Sequence, residues 1–178
     1  MVKCKLNFLS KHLSLDKPQK SSLGILLPLL YRTETIQFQS GYSKIDAVYI
    51  NENNKYSISL EVKPEFIDFI NRIENFQKEQ VCLQKHEFFP DYENQEVHAC
   101  FVSVITGPRT IRIRLPRRYN KFECSFFKKN DPENPQLTDS GDLKTGKRVT
   151  LLLKTKGVWV NKNKNFGWTI IAQQVLFH

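Results

Sequence analysis

Apolar and polar residues alternate with a period of two along most of this chain, the pattern of half-buried β-strands. Residues 109–115 show it most clearly, with Ile111, Ile113 and Leu115 on one face and Arg112 and Arg114 on the other. Residues 33–39 set Thr35, Gln37 and Gln39 against Ile36 and Phe38 and stop at Ser40-Gly41. Residues 44–50 and 56–62 read as two strands joined by the turn Asn51-Glu52-Asn53-Asn54. Further strands are predicted over 97–105, ended by Gly107-Pro108, and over 121–127, where Phe122, Cys124 and Phe126 oppose Glu123, Ser125 and Phe127. Asp131-Pro132 and Asn134-Pro135 predict a loop over 130–141. Two long strands close the chain, 146–160 and 166–177, joined by a turn of lysines and asparagines.

One stretch switches to helical spacing. Pro64 stands where a first helical residue belongs, Glu65 and Asp68 follow, and Phe66, Phe69, Ile70, Ile73 and Phe76 recur at steps of three and four. This predicts a helix from 64 to about 78, and as far as 84, with its aromatic stripe in the core. Residues 1–30 read as irregular, because Asp16-Lys17-Pro18 and Leu27-Pro28 break any long helix. The order is strands, one long helix, then five strands. That is a mostly β (α+β) chain, expected to form a small closed barrel or a sandwich. Residues 1–40 are expected to be an N-terminal β extension and 41–178 the domain proper.

The 178 residues fit one domain, and 40% hydrophobic with 25% charged content is ordinary for a globular protein. The charge is unevenly placed. Residues 1–104 hold 12 Lys/Arg against 13 Asp/Glu, whereas residues 105–178 hold 15 against 5. The whole excess of +9 therefore lies in the C-terminal part, which points to a polyanion-binding face. Cys4, Cys82, Cys100 and Cys124 are widely spaced, and no apolar run suggests a signal peptide or a membrane span. The expectation is an intracellular protein with reduced thiols. Cys82/His86 and His98/Cys100 have spacings unlike structural zinc sites, so no metal and no cofactor are expected. No glycine-rich phosphate loop or catalytic triad is present.

The basic residues come in a dense series. Arg112 and Arg114 share a strand face, Arg117, Arg118, Tyr119, Lys121 and Phe122 follow, and Lys128-Lys129, Lys147-Arg148, Lys154, Lys156, Lys162 and Lys164 come later. On adjacent strands these predict a cationic groove for a phosphate backbone, with rings interleaved for bases. The rings differ in what alternation says of them. Trp159 shares its phase with Val149, Leu151 and Leu153, which makes it core unless Gly157 introduces a bulge. Trp168 is in phase with Ile170 and Ala172. Phe166 sits in the Lys/Asn turn without an obvious core role, so it is the preferred base-stacking candidate. A rival chemistry is also present: Asp46, then Glu61-x-Lys63, matches the paired carboxylates and lysine of restriction-endonuclease-like, metal-dependent nucleases.

The pattern Gly146-Lys147-x-Val149, Lys154-x-Lys156-Gly157-Val158-Trp159, Phe166-Gly167-x-Thr169 and Gln174-Val175 resembles the final two strands of viral and phage single-stranded DNA-binding proteins with an oligonucleotide-binding (OB) fold. Residues 56–60 followed by the helix are similar to that family's strand-then-helix arrangement. The resemblance implies an OB-type five-stranded barrel with one long helix. It implies a non-enzymatic protein that coats and protects single-stranded DNA during viral replication or recombination, in the cytoplasm or host nucleus. Replication enzymes are candidate partners and a homo-oligomer a candidate assembly. The interface residues expected are Arg112, Arg114, Arg117, Arg118, Tyr119, Lys121, Phe122, Lys154, Lys156, Trp159, Lys162, Lys164, Phe166 and Trp168. The alternatives are the nuclease of Asp46, Glu61 and Lys63, and a viral RNA-binding or genome-packaging protein.

Overall fold

The computed structural model describes residues 10–129 and 135–178. Among the described residues five strands precede β6: β1 (Leu13–Leu15), β2 (Gln19–Ser21), β3 (Gly24–Tyr31), β4 (Glu34–Thr35) and β5 (Gln37–Gln39). Strands β6 (Ser43–Ile50) and β7 (Tyr56–Glu61) form a hairpin, and the helices α1 (Pro64–Leu83), α2 (Lys85–Phe88) and α3 (Asn94–Ala99) follow. Then come β8 (Phe101–Val102), β9 (Ile105–Gly107), β10 (Thr110–Leu115), β11 (Arg117–Arg118), β12 (Lys121–Phe122), β13 (Ser125–Lys128) and β14 (Gln136–Thr138). The chain ends in β15 (Arg148–Asn161) and β16 (Phe166–Phe177).

The long β15–β16 hairpin organises the molecule. Around it, β15 pairs with β6, β6 with β7, β7 with β10, β10 with β16, and β16 with β15, so five strands close a ring. All of these pairs are antiparallel except β10–β16. The ring interior is apolar: Ile45, Ile58, Leu60, Ile111, Ile113, Val149, Leu151, Leu153, Ile170 and Val175 are all buried. Helix α1 presses Phe66, Phe69, Ile70 and Ile73 into the same core. Pro64 opens the helix as its spacing requires, and Gln84 ends it.

Five expectations from the sequence give way here, three drawn from alternation and two from proline breaks. Residues 13–31 are not irregular: β3 runs through Pro28 and lies along β15. Proline has no N–H for the ladder, and Pro28 is the last residue of β3 in its ladder with β15, just before β3 takes β1 as partner from Leu29. The strand expected over 33–39 is split at Ile36 into β4 and β5. The strand expected over 97–105 begins instead as helix α3. Glu93 and Glu96 form a capping box at its start, with Glu93 N donating to Glu96 Oε2 at 2.7 Å, and Val97 is buried in a second apolar cluster with Val81 and Phe89. The strand expected over 121–127 is also broken, into β12 and β13, and β12 folds back on β11. The loop expected over 130–141 contains β14 on its described side, residues 130–134 lying outside the described residues.

Candidate nucleic-acid interface

The sheet's outward face is built by alternation corrected at three bulges. On β10 the simple pattern holds, so Arg112 and Arg114 point out while Ile111, Ile113 and Leu115 are buried. On β6 the register slips between Ile45 and Ala47, leaving Asp46 as the extra residue. The slip turns Tyr49, which counts in phase with buried Ile45, to the outside. On β15 the register slips between Thr155 and Val158, at Lys156-Gly157. Val158 and Val160 are then buried, and Trp159 leaves the core phase. A third slip, between Leu152 and Leu153, places an extra residue, Gln173, on β16.

These turns align one row of residues across six strands. Tyr49 is the Cα partner of Ser57, Ser57 of Arg114, Arg114 of Ile171, Ile171 of Lys154, and Lys154 of Gln37. At ~4.8 Å per strand the row spans roughly 24 Å. Two cavities lie along it and share Arg114. The first, of about 630 Å3, is lined by Arg114, Lys154 and Lys156 with one acid, Glu123. Gln37 and Gln173 also line it, each with a side-chain carbonyl oxygen that is buried and has no hydrogen-bond partner. The second, of about 550 Å3, is lined by Tyr49, Arg112 and Arg114 among mostly apolar walls. A third, of about 280 Å3, continues from the first through Leu152 and Gln174 towards Phe127 and Leu176. Charge and rings therefore share one trough. Three cations meet a single carboxylate in its centre, which is a favourable field for phosphates.

Placement of the remaining expected residues is uneven. Arg117 has its guanidinium over the Tyr56 ring at 4.7 Å and the Phe122 ring at 5.2 Å, and it donates to Asn120 O at 2.8 Å. It is a structural clamp rather than a free cation. Phe122 packs edge-on against Tyr56 and Phe126 and joins the core. Between Arg118 and Lys121, Tyr119 and Asn120 both have positive φ, the geometry of a tight hairpin turn. Tyr119 is 84% exposed there, with Arg118 over its ring at 5.1 Å. Lys162 is exposed, but Lys164 folds down and donates to Phe88 O at 2.8 Å. The closing turn is held by Asn161, whose side chain accepts from the main-chain N–H groups of Asn163 and Asn165 at 3.0 Å each.

Two of the expected rings are buried, although Trp168 still lines the inner wall of the Arg112 cavity. Phe166, the preferred ring on sequence grounds, is 0% exposed, packed edge-on against Phe89 and Phe101. A phenylalanine beside a polar turn found a core role because α2 and β8 cover it, and local sequence carries no signal of that. Trp168 is 3% exposed and donates its indole N–H to Glu74 at 3.0 Å. Lys128 and Lys147 lie elsewhere, sharing Asp142 at 3.4 and 3.1 Å, and hydrogen bonding from Lys147 together with the charge of Lys128 holds that carboxyl below its usual value. Tyr49, Ser57 and Gln37 were not expected at the interface. The bulge that exposes Tyr49 has no local marker in the sequence.

Asp46, Glu61 and Lys63, the residues of the nuclease reading, lie on β6, on β7 and at the start of α1. Glu61 is the Cα partner of Lys44 and lies 3.9 Å from Arg109, Asp46 sits in its bulge, and Lys63 caps α1. Among the described residues no group of three His, Cys, Asp or Glu side chains could hold a metal ion, and no helix is long and apolar enough to cross a membrane.

No family model matches the chain, and no curated protein matches it. Among solved structures it is similar to the single-stranded DNA-binding protein from bacteriophage Enc34. A C-terminally truncated form is 14% identical over 96% of each chain, with a TM-score of 0.48. A second structure of that protein is 15% identical over 92% of this chain and 89% of the other, with a TM-score of 0.47.

Proposed function

We propose that the chain is a non-enzymatic single-stranded DNA-binding protein that lays the strand along the row from Tyr49 to Gln37. One observation carries the reading: Arg114 and Lys154 flank Ile171 on the outward face, in a trough that also holds Lys156, Arg112 and the half-exposed ring of Tyr49. Cations at that spacing track phosphates, and a ring set among them takes a base that has no pairing partner. The bases of a duplex are already stacked and paired, so the rings favour single strands. The ring of five strands with a parallel β10–β16 pair supports an OB-type barrel, a fold that takes oligonucleotides on the face of its second and third strands. Here those strands are β7 and β10. Coating and protecting strands exposed in replication or recombination is the role that suits such binding.

A fluorescence titration with oligo-dT against a duplex of equal length, at matched salt, tests the proposal. Tighter binding to the single strand, falling steeply with salt, is expected. Equal affinity for duplex and single strand overturns it, and tighter binding to a length-matched RNA redirects it to RNA.

A further inference from the structure

The cavity beside Arg112 has a different chemistry from the cationic one next to it. Its walls are largely apolar, with Tyr49 and Ile50 from β6, Val102 from β8, Val104 before β9, and Trp168 and Ile170 from β16, and Lys55 stands at the same cavity. Tyr49 is 42% exposed, and the Arg112 guanidinium carbon lies over its ring, 4.7 Å from the centroid. Arg112 is anchored at its main chain, where its N–H donates to Val104 O at 2.8 Å. We infer that this cavity is a subsite for one unstacked nucleobase, which extends the Arg112–Tyr49 stack and whose identity is not read. The inference rests on the single-stranded DNA reading above and assigns one step of the strand to one place.

Three features support it. A guanidinium lying over a ring turns its other face outward, and that planar, weakly hydrated face is a stacking surface for a base. Three of the polar groups lining the cavity, on Ser103, Asn51 and Thr106, are committed within the protein. Ser103 Oγ donates to Glu74 and accepts from Ile105 N at 2.9 Å. Asn51 Oδ1 accepts from Asn53 N at 3.1 Å and Lys55 N at 2.8 Å, and Thr106 Oγ1 is bonded to Thr110 Oγ1 at 3.3 Å. The pocket thus offers a plane and largely apolar walls, and binding by stacking on such a surface is tolerant of sequence. Finally, Arg114 lines both cavities, so a base held here has its phosphate beside the entrance to the cationic cavity.

Anisotropy titrations with short oligo-dT, oligo-dA and oligo-dC test the subsite, using the shortest lengths that bind. Tyr49→Ala is expected to weaken all three by the same factor, roughly 5- to 150-fold for loss of one stacked base. Tyr49→Phe keeps the ring and the affinity. Arg112→Lys keeps the charge and the salt dependence, but weakens binding through loss of the plane. An abasic residue scanned along the oligonucleotide reproduces the loss at one position in the wild type and adds nothing at that position in Tyr49→Ala. Unchanged affinity in Tyr49→Ala while Arg114→Gln weakens binding overturns the subsite and leaves the proposed function standing. Losses that add between the abasic oligonucleotide and Tyr49→Ala overturn it too. A wild type with no preference for single strands removes the proposed function, and the subsite falls with it.

Discussion

Trp159 and Trp168 face opposite sides of one hairpin, because Trp159 is the Cα partner of Gly167 while Trp168 is the partner of Val158, one step away on the same ladder. Trp168 points into the core and is held by Glu74. Trp159 is half-buried on the outward side and lies against Gly167, where an added Cβ would come 3.1 Å from its ring. The two indoles should therefore report different events. In Trp168→Phe, quenching of tryptophan emission by oligo-dT is expected to persist, and in Trp159→Phe it is expected to vanish. Emission spectra of the two variants, with and without oligonucleotide, check this, and quenching carried by Trp168 would contradict the facing described.

The Gly157 bulge sets that facing, and only glycine fits there. Its φ is +143°, and a Cβ would run into the Leu27 carbonyl, with Pro28 Cα at 2.8 Å. Gly146 also has positive φ, at +88°, but open space around it. Gly146→Ala is expected to cost about 1 kcal/mol, the penalty of the conformation alone. Gly157→Ala is expected to cost clearly more. Urea denaturation of both variants compares them, and equal costs would show that the approach of β3 is relaxed in solution.

Arg114 and Lys154 should each contribute one phosphate contact. For single strands, losing one such contact flattens the slope of log affinity against log salt by about 0.7. Arg114→Gln and Lys154→Gln are each expected to show that change, whereas Lys128→Gln, whose charge is committed to Asp142, leaves the slope unaltered. Titrations at several salt concentrations measure it.

Glu74 joins helix α1 to β16 and to the segment before β9, both of which line the Arg112 cavity. Buried at 3% exposure, it accepts from Trp168 Nε1 at 3.0 Å, Val104 N at 2.9 Å and Ser103 Oγ at 2.8 Å. Glu74→Leu strands these donors at about 1–3 kcal/mol for each that stays buried. A loss of several kcal/mol by urea denaturation is expected, with a smaller loss in Glu74→Gln, which keeps one acceptor oxygen.

Where the physics is local, the chain could be read directly. Helix α1 is written in Pro64 and the 3.6 spacing of Phe66, Phe69, Ile70 and Ile73, and the Arg112/Arg114 face is written in the unbroken alternation of β10. Local reading failed where a distant element intervenes. Pro28 sits inside a strand at the point where β3 passes from β15 to β1, and in residues 94–99 Val97 is buried in a cluster with Val81 of α1. Phe166 is core because α2 and β8 reach it.

The sequence by itself determined a mostly β chain with one long helix, a cationic C-terminal part and an arginine-lined strand. These follow from periodicity and composition, which act within a few residues. Only the tertiary structure decided which rings reach the outward face. Tyr49 and Trp159 share the core phase by counting, and one extra residue in each strand, at Asp46 and at Lys156-Gly157, carries them to the outward face. A bulge is set by how partner strands pair, and one inserted residue reverses every side chain beyond it.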